Sequence, residues 1–265
     1  MRTVLLTSNS YRHQYIARCL AQNTQLQLIV TEEKSSKISD TSELKNKDRE
    51  FQKKHFEKRD QSELKYFSKK GFPKEVLRLN IPHGDINSEL NLEILKEMSP
   101  DFIVLFGTSI IKEDLLEAFP KKFINLHLGL SPWYRGSATN LFPLIFNEPQ
   151  FVGATIHLAT ESIDEGGILH QIRPDITEND DLHDVGNKVI LKAGKVLPLI
   201  LKAYKEKKIT PEKPDMKGKV YRIKDITPER LRQAYTNISE GMISDYLNNK
   251  KNIDFKYPIV SNIIE

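Results

Sequence analysis

The chain has 265 residues, with 38% hydrophobic and 29% charged residues. That is enough for one large domain, and too apolar for a disordered chain. Net charge is +4, and the longest apolar runs, such as Ile103-Val104-Leu105-Phe106, are far too short to span a bilayer. The N-terminus turns polar by Thr7, so no signal peptide is expected. A single cysteine, Cys19, excludes an internal disulfide framework and a cysteine zinc cage. A reducing cytoplasm is the expected compartment, and no membrane partner is expected.

In chain order, an apolar run over 3–7 ends in Ser8-Asn9-Ser10, a helical stretch covers 15–21, and a second apolar run covers 26–31. This predicts strand, helix, strand, the opening of a parallel α/β sheet. Residues 32–74 are rich in Lys, Glu, Ser, Asp and Gln, with Leu44, Phe51, Phe56, Leu64 and Phe67 spaced sparsely through them. We expect a flexible start, then an amphipathic helix over 50–68 with Arg59 and Glu63 as an i,i+4 pair.

A strand over 76–81 closes at Pro82-His83-Gly84, and a helix over 88–98 stops at Ser99-Pro100. The run 101–107 reads as a fully buried strand. Helices over 112–119 and 138–146 alternate with strands over 122–127, 151–158 and 167–173. The longest helical pattern is 181–205, with a kink expected at Pro198. After 210 the rhythm fades; 218–223 is a strand candidate and 228–247 a helix candidate. The fold class is therefore α/β, a Rossmann-like, mostly parallel sheet flanked by helices. We expect a catalytic domain over 1–205 and a small C-terminal extension over 206–265.

Between Leu201 and Lys224 nine Lys/Arg face three Asp/Glu, so the basic excess is local. A solvated face or a site for an anion or another subunit explains such a patch, and nucleic-acid binding is not read from it. The dinucleotide, P-loop, zinc-protease and α/β-hydrolase motifs are all missing. Two segments remain. In Asn125-Leu126-His127 the amide and imidazole point to one side of a strand end, as an oxyanion-stabilising pair would. A capped turn and a packed histidine would look the same. In Asp164-Glu165-Gly166-Gly167-Ile168-Leu169 a carboxylate sits in a glycine loop between apolar runs, which is also ordinary turn chemistry.

Taken together these motifs resemble the folate-dependent formyltransferase family, which includes methionyl-tRNA, glycinamide ribonucleotide and sugar N-formyltransferases. The resemblance runs through Asn125-Leu126-His127, Ser131-Pro132-Trp133-Tyr134-Arg135-Gly136 and the Asp164 loop, with Val104-Leu105-Phe106-Gly107 ahead of them. It implies catalysis by Asn125, His127 and Asp164. Asn125 and a protonated His127 would donate to the oxyanion, while Asp164 would orient His127 and take the amine proton. It implies N10-formyltetrahydrofolate as donor, bound near Leu105, Gly107, Ile110, Ile111, Thr160 and Glu161, and no metal. Leu105 and Ile111 read equally well as plain sheet core.

On the acceptor side the resemblance places Ser8, Asn9, Arg12 and His13, with Arg12 suited to a phosphate or carboxylate or to a plain surface role. The glycinamide ribonucleotide branch would have a Gly-Ser-Asn loop where Thr7-Ser8-Asn9-Ser10 stands. The methionyl-tRNA branch would have a longer β-rich C-terminal domain, and the formyltetrahydrofolate hydrolases an extra N-terminal domain. The expected acceptor is thus a small amine, an amino sugar, nucleotide-linked or a nonulosonic acid precursor, for a surface glycan. A formyltetrahydrofolate hydrolase, a methionyl-tRNA formyltransferase-like enzyme and a non-catalytic ligand-binding module are the alternatives. The basic 32–74 region is either a lid over the acceptor or a solvent-facing helix. A homodimer through the extension is implied by resemblance alone.

Overall fold

The computed structural model describes residues 1–34, 46–214 and 218–262. The flexible start expected in the 32–74 segment falls mostly on 35–45, outside the described residues. Strand β1 (Arg2–Thr7) leads through helix α1 (Tyr11–Asn23) to β2 (Gln25–Glu32). Helix α2 (Asn46–Phe67) then leads to β3 (Leu77–Ile81), α3 (Glu89–Met98) and β4 (Phe102–Phe106). Next come α4 (Glu113–Ala118), β5 (Phe123–His127), a short β6 (Tyr134–Gly136) and α5 (Phe142–Ile145). The chain continues with β7 (Ala154–Leu158), β8 (Ile168–Ile172), α6 (Leu182–Lys205), β9 (Lys219–Tyr221), α7 (Pro228–Ser239) and α8 (Met242–Lys256).

Seven strands form one sheet in the order β3-β2-β1-β4-β5-β7-β8. The first five are parallel; β7 runs antiparallel to both of its neighbours, β5 and β8. A short loop joins β7 to β8, and short connections suit antiparallel pairs. The reversal of strand order lies between β1 and β4, where an open α/β sheet leaves a crevice at its carboxyl edge.

Two apolar layers cover the two faces, and the period-2 alternation of strands assigns residues to them. Leu5, Val104, Ile124 and Leu126 belong to the layer shared with α1 and α6. Val4, Leu6, Ile103, Leu105 and Phe123 belong to the layer shared with α3 and α4. Because Ile124 and Leu126 face the first layer, Asn125 and His127 face the second. Every residue of β4 is buried, as expected of a strand covered on both faces.

Several expected elements differ. The helix expected over 138–146 shrinks to α5, with Pro143 in its first turn. Ahead of it, Ala138 takes a left-handed φ of 57° and β6 pairs with β9. The strand expected over 151–158 begins at Ala154, after a 3-10 turn over Pro149–Phe151. The helix expected over 228–247 is two helices. Gly241 at φ 97° ends the first and caps the second. Helix α6 continues through Pro198. No described helix is long and apolar enough to cross a membrane.

Candidate active site

Strand β5 brings Asn125 and His127 to the carboxyl edge of the sheet, and the loop after β7 brings Asp164 to meet them. Asn125 Nδ2 donates to Asp164 Oδ1 over 3.1 Å. His127 Nδ1 lies 3.3 Å from Asp164 Oδ2, and its Nε2 is 3.0 Å from the Tyr134 carbonyl oxygen. The three residues expected to act together therefore touch.

Asp164 adopts φ 50°, a left-handed conformation that few residues other than glycine adopt and that clusters at functional positions. Four groups surround its carboxylate. Besides Asn125 and His127, His157 Nε2 is 3.3 Å away, and the Gly136 N–H donates over 2.8 Å. Burial by itself would raise the Asp164 pKa. The imidazoles of His127 and His157 and the Gly136 N–H outweigh it and hold the carboxyl well below its usual range. For His127, burial is the largest influence and lowers the pKa; the Asp164 carboxylate and the Tyr134 carbonyl oppose it. Both of its ring nitrogens face acceptors, so a proton taken up by this ring is held between Asp164 and Tyr134.

The loops that carry Gly136 and Asp164 are joined twice. Gly136 binds Asp164, and Arg135 Nη1 pairs with Glu165 Oε1 at 2.6 Å. Gly166 explains the close packing of the Asp164 loop on β7, since a Cβ there would stand 1.7 Å from the Leu158 carbonyl oxygen.

These residues line one open cleft of about 1400 Å³. Leu105 and Ile111 are buried, 5% and 4% exposed, and form an apolar patch on the face that carries Asn125. Gly107, at φ 74°, turns the chain after β4; a Cβ there would meet His13 Nε2 at 2.7 Å. Ile110 is 62% exposed at the rim, and Glu161 is exposed beside it on the cleft wall. Thr160 Oγ1 donates to the Ser162 carbonyl at 3.1 Å. Arg12 and His13 line the cleft, whereas Ser8 and Asn9 are not among its lining residues. Ser8 is buried and Asn9 exposed. Arg12 forms an ion pair with the buried Glu63, to which Arg59 adds a contact at 3.9 Å.

Sequence reasoning missed several contributors. His157 stands opposite Asn125 in the β5–β7 register, and Asn125 Nδ2 lies 3.1 Å from its Nε2. Its Nδ1 donates to the Leu158 carbonyl at 2.8 Å, and its Nε2 faces both the Asn125 amide and the Asp164 carboxylate. The signal was present: His157 alternates with core Ile156, which puts it on the face of Asn125 and His127. Thr139 Oγ1 lies 3.4 Å from His127 Nε2. Glu32, 4% exposed, accepts from the N–H groups of Gly84 at 2.8 Å and Ser109 at 2.7 Å, and so fixes the loop after β4. The C-terminal segment is also part of the cleft. Val220, Tyr221 and Arg222 line it, and the Tyr221 carbonyl accepts from Ser137 N at 2.9 Å.

A model of the Formyl transferase family matches residues 14–201. Among curated proteins, a methionyl-tRNA formyltransferase of Caldanaerobacter subterraneus subsp. tengcongensis is 33% identical over 133 residues, 50% of this chain and 43% of that protein. The chain thus spans less than half the length of that relative. Among solved structures, a sugar N-formyltransferase from Shewanella sp. FDAARGOS_354 superposes with a TM-score of 0.57 at 20% identity, covering 90% of this chain and 87% of its own. An N-formyltransferase from Helicobacter canadensis, in complex with folinic acid and dTDP-3-aminofucose, superposes with a TM-score of 0.57 at 16% identity, covering 89% and 81%. These likenesses to solved structures are of fold.

Proposed function

This chain belongs to the Formyl transferase family, and from that premise we propose that it moves a formyl group from N10-formyltetrahydrofolate to the amine of an amino sugar. The observation that carries this reading is the convergence of Asn125, His127 and Asp164 in a cleft wide enough for two reactants. Its volume exceeds the roughly 300–1,000 Å³ of ordinary small-molecule pockets. The apolar patch of Leu105 and Ile111 beside Gly107 suits a flat heteroaromatic ring, so the residues fit the donor. That donor supplies an electrophilic formyl carbon.

The roles follow from the geometry. An attacked formyl carbon develops an oxyanion, and donors aimed at it are commonly worth about 3 kcal/mol each. Asn125 offers there the amide hydrogen that Asp164 does not take. His127 contributes its Nδ1 edge; its 3.3 Å contact with Asp164 is longer than the roughly 2.8 Å of a tight charge-assisted bond, so a proton on it can be shared. Asp164, with its depressed pKa, stays ionised and is a weak base at rest. Bonding to the formyl carbon makes the amine N–H more acidic, and Asp164 relays that proton toward N10 of the donor as the C–N10 bond breaks. The Gly136 N–H and His157 hold the carboxylate in place throughout.

The small-sugar acceptor is supported by the match in fold, over most of both chains, to a protein described as a sugar N-formyltransferase and to an N-formyltransferase in complex with dTDP-3-aminofucose. A methionyl-tRNA acceptor is the second reading, favoured by the curated relative. One assay separates them. The chain is incubated with N10-formyltetrahydrofolate and either a panel of amino sugars, with dTDP-3-aminofucose among them, or methionyl-tRNA. Products are read by the mass gain of one formyl group. Formylation of the tRNA alone refutes the amino-sugar reading, and fast formate release that no amine suppresses refutes transfer altogether.

A further inference from the structure

Away from the Asp164 cluster, α2, α6 and α7 build a second polar wall of the same cleft. His55 Nδ1 on α2 lies 2.9 Å from the Tyr235 hydroxyl on α7, and His183 Nε2 on α6 lies 3.2 Å from that same hydroxyl. The two imidazole centroids are 5.0 Å apart. Both histidines are more than nine-tenths buried, at 9% and 6% exposed, and both line the cleft.

A phenol hydroxyl carries one hydrogen. Tyr235 therefore donates to one imidazole and accepts an N–H from the other; since it meets Nδ1 of His55 but Nε2 of His183, both rings take the same tautomer and their outer nitrogens take opposite roles. Neutrality of both rings is required for this, and burial supplies it. The His55 pKa is pushed down to about 3 by burial, then by His183 and Arg59. His183 is also lowered, by burial first, with Arg59 and Lys58 acting the same way and Asp181 and Asp184 opposing.

The remaining ring nitrogens are His55 Nε2 and His183 Nδ1. Neither has a hydrogen-bond partner among the described residues. By the tautomer rule one of them is a donor and the other an acceptor. Asn187 beside them is 5% exposed, lines the cleft and spends its Nδ2 on Ser62 Oγ at 2.9 Å, which leaves its Oδ1 to accept. A wall that offers one N–H and two acceptors matches a group that both donates and accepts. A hydroxyl does so; a phosphate at neutral pH chiefly accepts, and an ammonium only donates.

We propose that His55 and His183, whose outer ring nitrogens Tyr235 fixes as one donor and one acceptor, form a specificity subsite for a ring hydroxyl of the acceptor. This rests on the amino-sugar reading of the site and identifies which part of that acceptor α2 and α6 recognise. The extension contributes Tyr235, so specificity would depend on a segment beyond the family match at 14–201.

The test compares the wild type with H55F and Y235F on dTDP-3-aminofucose and its singly deoxygenated analogues. One deoxy analogue should cost the wild type about ten-fold in kcat/KM, as loss of a hydrogen bond to a buried group does. The same analogue should cost H55F and Y235F less than about two-fold, because the partner is already gone or no longer fixed. The loss on the parent acceptor should fall on its KM and leave the KM of the donor in place. A variant that is merely misfolded penalises every analogue alike, and thermal melts of both variants identify it; Y235F, which removes only an oxygen, carries the comparison if H55F melts early. Identical analogue penalties in wild type and folded Y235F overturn the subsite while the amino-sugar reading stands. Failure of the wild type to formylate any member of the amino-sugar panel overturns both.

Discussion

Gly136→Ala tests whether the C-terminal segment and the catalytic carboxylate act as one unit. Gly136 sits at φ 95°, and a Cβ there would stand 2.1 Å from the Tyr221 carbonyl oxygen. The chain cannot accept that contact, so β6 and β9 must separate. A non-glycine residue in the left-handed region costs about 1–2 kcal/mol. Displacing the Gly136 N–H from Asp164 Oδ2, now at 2.8 Å, costs about 1.5–3 kcal/mol for a bond to a charged group. The sum is about 3–5 kcal/mol. At about 2–4 °C per kcal/mol for a chain of this size, the melting temperature should fall by about 6–20 °C. Turnover should fall at least about ten-fold even well below the melt, since Asp164 loses the donor that orients it. Circular-dichroism melts and formyl-transfer rates at 20 °C check the two effects. A variant that melts with the wild type, or one that turns over at the wild-type rate while melting early, would refute the proposed coupling.

The other predictions use the same partners. Asp164→Asn preserves volume but removes the charge between His127 and His157; kcat should fall by about 10²–10³ or more, with far-UV dichroism unchanged, and single-turnover mixing measures it. Glu63→Gln leaves the mostly buried Arg12 without its counter-charge, and urea unfolding at neutral pH should show a loss of about 3 kcal/mol. Burial, with Lys192 nearby, pushes the His170 pKa down to about 4 against 6.5 for an ordinary histidine. Between those values the unfolded chain binds a proton that the folded one refuses. The His170 contribution is therefore fully present above about pH 6.5 and falls, by at most about 3 kcal/mol, as pH drops toward 4. His170→Gln should flatten that part of the stability profile in urea titrations at pH 7 and pH 4.5; an unchanged slope counts against a neutral buried His170.

The strands and the long helices were legible because burial leaves a local imprint. The run Phe102 to Phe106 is apolar throughout since both faces are covered, and α6 shows its buried stripe at helical spacing. Asn125 and His127 share a face because strand side chains alternate, so two members of the proposed catalytic group were readable as a pair from spacing alone. The third was not. Asp164 lies 39 residues from Asn125, and only the family resemblance linked them before the β5–β7 register placed their loops together.

What failed had non-local causes. The helical pattern over 138–146 lost to β6–β9 pairing, a contact between segments more than eighty residues apart. Gly241 ended a helix by a left-handed turn that the periodicity of its neighbours concealed. The amino-acid sequence alone determined the α/β layering, the face of the sheet that carries the amide and the imidazole, and the family resemblance. Only the tertiary structure decided that a polar helix from the 46–67 region walls the cleft and that a tyrosine from the C-terminal segment bonds to the histidines of that wall. The physical reason is that hydrophobic periodicity records what each element buries, whereas a polar cleft is formed by chemically ordinary side chains that become partners only when distant elements pack.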